Sequence, residues 1–77
     1  MTDTQHAAPL STVRQARLQV LENEDRVWQQ AVYVEEMRAG GRSVESPEQQ
    51  LQAFRENLRR ARERLRREES AAAPYRN

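Results

Sequence analysis

Residues 38–51 read "RAGGRSVESPEQQL", and the fold turns on this stretch. Gly40 and Gly41 are the only two glycines in the chain, and such residues take up the left-handed backbone that closes a helix C-terminus. Ser46 then offers a helix N-cap, Pro47 suits a first helical position, Glu48 sits in the positive first turn and Gln49 completes a capping box. A helix therefore stops at Ala39 and another starts at Pro47, with a connection over 40–46. So short a connection between long helices favours an antiparallel hairpin.

Working outward, "APLSTVRQ" (residues 8–15) marks the start of the first helix and offers Ser11 or Thr12 as its cap; with Thr12 as the cap, Gln15 closes a capping box. "SAAAPYRN" (70–77) ends the second helix before Pro74. The expected organisation is a flexible N-terminal tail over 1–11, a helix over 12–39, a turn over 40–46, a helix over 47–71 and a flexible C-terminal tail over 72–77. At ~1.5 Å per residue the helices are rods of roughly 40 and 37 Å.

The apolar spacing tests the hairpin. Val13, Val20, Val27 and Val34 recur at every seventh position, with Ala31 between the last two. Leu51, Phe54, Leu58, Ala61 and Leu65 form a 3-4-3-4 seam. Folding at the glycines sets Val34 opposite Leu51, Ala31 opposite Phe54, Val27 opposite Leu58, and Val20 opposite Leu65. Further out, Arg17 meets Glu68 and Val13 meets Ala72. Two separate patterns agree on one register, so the fold class is all-α: an antiparallel, coiled-coil-like two-helix hairpin. Glu24 falls at a seam position beside Ala61 and Arg62. Such charges either fix register or reach the rim and contribute at most ~1 kcal/mol.

The first helix carries more apolar surface than the second covers. Leu18, Leu21, Trp28 and Val32 lie roughly 60–140° from the valine stripe at ~100° per residue. Small scaffolds with one thin seam are commonly completed by oligomerisation. These four residues form the expected protein interface, taken by a second copy in a helical bundle or by a larger protein.

Composition agrees. Of 77 residues 36% are hydrophobic and 32% charged, a mixture typical of extended helical proteins. All 13 basic residues are arginine. Residues 1–50 hold five Arg against eight Asp or Glu, giving −3, and residues 51–77 hold eight against four, giving +4. The absence of cysteine excludes disulfides and thiolate metal sites. No basic region leads an apolar run at the N-terminus, and no apolar stretch nears the ~20 residues that span a bilayer. A soluble chain, cytoplasmic or virion-associated and without membrane contact, is expected.

Residues 55–67, "RENLRRARERLRR", hold seven arginines. Arg55, Arg59, Arg62 and Arg66 form an acid-free stripe that suits either phosphates or the acidic first helix. Arg60, Arg64 and Arg67 alternate with glutamates, and Glu56–Arg60 and Glu63–Arg67 are i, i+4 pairs in the favourable order. The helix lacks interleaved aromatics and groove-reading side chains, which favours pairing within the assembly over nucleic acid.

Catalytic signals are nearly absent. The lone histidine, His6, sits in the tail with no scaffold to hold it as a base. Neither helix carries the Glu-x-x-His of a di-metal bundle. The acidic pairs Glu22 with Asp25 and Glu35 with Glu36 fit a solvated face, and "AGGRS" lacks phosphate-loop spacing. The expectation is no enzyme, no cofactor, no metal and no small-molecule substrate.

Residues 39–58, "AGGRSVESPEQQLQAFRENL", resemble the turn and second helix of small tailed-phage head-completion (head–tail joining) proteins. The shared features are a Gly-Arg turn, a short piece like Arg42-Ser43-Val44-Glu45, and a helix beginning near a capping serine. That group usually places a small β-hairpin between its helices, for which "GGRSVES" is too short. The resemblance implies a non-enzymatic subunit in a ring at a capsid portal. From the residues themselves the expected function is a non-catalytic interaction or assembly module. The alternative is a small nucleic-acid-associated regulator using the arginine stripe on a dimeric bundle.

Overall fold

In the computed structural model, the backbone of residues 3–72 and the side chains of residues 11–72 are described. Two helices, α1 (Asp3–Ala39) and α2 (Glu45–Ala71), fold back on each other as a hairpin 57 Å long. No strand occurs among the described residues.

The turn is built as a Schellman closure. Gly41 has φ +73°, the Arg42 N–H donates to the Met37 carbonyl at 2.9 Å, and the Gly41 N–H to that of Arg38 at 3.0 Å. Only Gly41 is left-handed. Gly40 is the last residue before it and donates to the Glu36 carbonyl at 3.0 Å.

Two expected boundaries move. α1 begins at Asp3 rather than Thr12, so residues 3–11 are helix and neither Thr12 nor Gln15 belongs to a cap. Ala7 and Ala8 are strong helix formers, and extending an existing helix carries no nucleation cost, while Pro9 leaves one backbone hydrogen bond of that extension unmade. α2 begins at Glu45 rather than Pro47, and Val44, not Ser46, is its cap, without a side-chain hydrogen bond. Pro47 then lies in the first turn, where a missing N–H is no loss, and Glu45 and Glu48 face the positive end of the helix. Residues 73–77, including the expected break at Pro74, lie outside the described residues.

Val13, Ala16, Val20 and Val34 of α1 are buried, as are Leu51, Leu58 and Ala61 of α2. Val20, Leu58 and Ala61 form one cluster, with Val27 and Leu65 packed against it. The α2 seam is therefore the one read from the sequence, with Phe54 half-buried within it. On α1 the valines hold, but the residues between them differ from expectation. The structure buries or half-buries Ala16, Asn23, Gln30 and Met37, while Arg17 and Glu24 are exposed; Ala31 is half-buried and lines the groove beside Val34 and Leu51. Desolvating Arg17 and Glu24 would cost far more than tucking in Asn23 and Gln30. Both amides find carbonyls: Asn23 Nδ2 donates to Gln19 at 2.7 Å, and Gln30 Nε2 to Pro47 across the hairpin at 2.9 Å.

The charged residues take the rim. Arg17 pairs with Glu69 at 3.5 Å rather than with Glu68, and Arg62 pairs with Glu24 at 3.2 Å. Arg38, in the last turn of α1, pairs with Glu48 in the first turn of α2 and with Glu35 at 3.2 Å. Arg17, Glu24 and Arg38 advance by seven and then fourteen residues while Glu69, Arg62 and Glu48 retreat by the same steps. That is an antiparallel register. Each of these pairs is solvated, so each contributes at most ~1 kcal/mol.

Candidate interaction surfaces

Val27 faces α2. Trp28, the next residue, is turned ~100° away from the hairpin. It is 67% exposed, and Leu21 and Leu18 are 61% and 53% exposed. Val32 is half-buried and shares a shallow apolar depression with Trp28, Ala31 and Ala39, edged by Glu35 and Glu36. The hairpin thus leaves three of the four expected interface residues mostly in water and Val32 at the depression. Tyr33, also exposed at 47%, lies roughly 140° round the helix from Trp28 and is not part of this face.

The face has a regularity that the sequence reading missed. Leu18, Leu21, Asp25, Trp28, Val32, Glu35 and Ala39 follow 3-4-3-4-3-4 spacing, a second heptad seam on the same helix. Arg14, four residues before Leu18, continues it backward. Asp25 accepts a hydrogen bond from Gln29 at 3.0 Å and Glu35 is held by Arg38. Arg14 and Glu36 have no ion pair among the described residues. The signal was present as spacing, masked by the two acids within it.

The arginine face is less open than its sequence suggests. Arg55, Arg59, Arg62 and Arg66 do line one depression, with Val27 and Leu58 at its floor. The stripe is not acid-free. Arg59 pairs with both Glu56 and Glu63, and Arg62 is held by Glu24. The expected Glu56–Arg60 pair forms at 3.2 Å. The expected Glu63–Arg67 pair is replaced by Glu63–Arg59, because the i−4 arginine lies equally within reach. Arg64 meets Gln19 at 2.7 Å and Glu68 at 4.0 Å. Arg55 and Arg66 keep no acid partner among the described residues.

The hydrogen bond from Arg59, reinforced by the charges of Arg59 and Arg60, holds the Glu56 carboxyl below the ordinary carboxylate range against a smaller opposing effect of desolvation. The same bond raises Arg59 further. This network ties up the middle of the stripe. No group of three or more His, Cys, Asp or Glu side chains is placed to hold a metal among the described residues, and His6 lies outside the described side chains. No described helix is long and apolar enough to cross a membrane. No protein-family model, no curated protein and no solved structure matches the chain.

Proposed function

We propose that this chain is a non-catalytic protein-interaction and assembly module, acting through the exposed apolar face of α1. The observation that carries this reading is Trp28, two-thirds exposed between Leu21 and Val32 on a face its own hairpin does not use. Fully burying a large apolar side chain is worth about 1.5–3 kcal/mol. A face bearing a tryptophan and two exposed leucines therefore favours a helical partner, and contiguous patches of this kind mark interaction sites. A structural subunit of a virion is the narrower setting, supported by the resemblance of residues 39–58 to head–tail joining proteins.

A second reading, a nucleic-acid-associated regulator, draws on the depression lined by Arg55 and Arg66, which keep no acid partner among the described residues. The Arg59 and Arg62 ion pairs weigh against it. Sedimentation together with a salt titration against generic DNA and RNA separates the two. Association lost in Trp28→Glu, with helicity retained and no nucleic acid bound at moderate salt, fits the interaction module. Tight nucleic-acid binding abolished by Arg59→Glu with Arg62→Glu, with association intact, would make the chain a regulator.

A further inference from the structure

We propose that the occupant of the α1 face is a second copy of this chain, packed antiparallel across a two-fold axis between Asp25 and Trp28. This inference rests on the reading of that face as an interaction surface, and adds the partner, its direction and its register.

Direction follows from the acids in the second seam. In a parallel pair, equivalent residues stack, so Asp25 would meet Asp25 and Glu35 would meet Glu35 in the interface, and like charges placed together oppose association. Antiparallel packing removes the Glu35 clash and staggers the two Asp25 side chains by three residues, about 4.5 Å along the axis, instead of stacking them. It sets a-type positions opposite d-type ones, as in the hairpin's own seam. With the axis between Asp25 and Trp28, Leu21 lies opposite Val32 of the second copy, and Trp28 opposite its Asp25. The indole N–H, a donor with no acceptor function, then meets a carboxylate. Every exposed large apolar residue of the face falls within the overlap.

The charges left unpaired by the hairpin support the same arrangement. Arg14 and Glu36 have no ion pair among the described residues, and both border this face. Antiparallel packing brings Arg14 within one helical turn of Glu36 of the second copy, and does so twice by symmetry. Arg38, which falls one residue out of register with Arg14 of the second copy, is already held by Glu48 within each hairpin. The patch is thus self-complementary at Leu21–Val32 and Arg14–Glu36, as a two-fold interface requires, with Leu18 facing a Glu35 whose charge Arg38 meets. The result is a four-helix assembly with the two α1 helices central and the α2 helices outside.

The full chain has no cysteine, so single cysteines report direction. A mixture of Leu21→Cys and Val32→Cys chains, treated with a short thiol cross-linker, is expected to give a linked pair. Leu21→Cys alone is not, since its two copies would lie roughly 16 Å apart along the axis. Sedimentation is expected to give twice the 9.0 kDa chain mass. Arg14→Glu or Glu36→Arg alone is expected to weaken association by about two- to fivefold for each pair lost, and the two together to restore it. A single 9.0 kDa species at about millimolar concentration, efficient linking of Leu21→Cys to itself, or no rescue by the double reversal overturns the proposal. The broader interaction reading falls to a different result: nucleic-acid binding that needs Arg59 and Arg62 while Trp28→Glu changes nothing. The two failures are therefore distinguishable.

Discussion

Replacing each glycine of the turn by alanine isolates one backbone angle. Gly41 has φ +73° and its missing side chain would point into open space, so a methyl group there meets no atom within 4 Å. The cost is wholly conformational: an L-residue in the left-handed region loses about 1–2 kcal/mol to contact between Cβ and its own backbone. Gly40 is the opposite case. Its φ is not positive, and an added Cβ would sit 3.5 Å from the Glu36 carbonyl and 3.7 Å from that of Met37, ordinary contact distances. Both substitutions stiffen the unfolded chain equally, a gain of about 0.4–1 kcal/mol, which cancels between the two variants. Gly40→Ala is therefore expected to be neutral or slightly stabilising, and Gly41→Ala less stable than Gly40→Ala by about 1–2 kcal/mol. For a chain of this size each kcal/mol is worth about 4–8 °C in Tm. The assay is urea and thermal unfolding followed by far-UV circular dichroism at matched chain concentration, with Gly41→Asn as an intermediate, since asparagine tolerates this region better than alanine. Equal loss in both alanine variants, or greater loss in Gly40→Ala, would refute the Schellman assignment.

Two further outcomes bear on the seam and the surface. Leu58→Ala, at a position 8% exposed within the central cluster, is expected to lower stability by about 2–3 kcal/mol, a large share of the ~3–5 kcal/mol a core this small supplies. A shift in the urea midpoint worth under ~1 kcal/mol would contradict the placement of Leu58. The Glu56 carboxyl is depressed in the folded chain, mainly by its hydrogen bond from Arg59. Its contribution is therefore present above the unfolded value of about 4.3 and lost as pH falls through the folded one. The Tm gap between the natural chain and Glu56→Gln is expected to be steady near neutral pH and to narrow as pH falls below about 4.3. A gap that stays unchanged as the carboxylate is protonated, at fixed ionic strength, would show that Arg59 does not hold it.

Much of the candidate site was legible because exposure on a helix is largely a matter of angle. Once Val27 is assigned to the hairpin, Trp28 must point ~100° away, and Leu18 and Leu21 follow by spacing. The arginine stripe was harder. Four arginines do line one depression, yet their partners depend on side-chain reach, and Glu63 lies equally near Arg59 and Arg67 by sequence. In the folded chain Glu63 takes Arg59.

The sequence by itself determined that the chain is two helices, that they reverse at Gly40-Gly41, and that valines on one run beside leucines on the other. Glycine backbone freedom and heptad spacing are local properties, set before any tertiary contact forms. Only the tertiary structure decided which side of the valine ladder completes the α1 seam. Valines at every seventh position are equally compatible with neighbours at i+3 and at i+4, so the ladder alone leaves that choice open. The hairpin takes Ala16, Asn23, Gln30 and Met37, whose small or neutral side chains let α2 approach. Arg17 and Glu24 go to the rim, where water and Glu69 and Arg62 keep them solvated and paired.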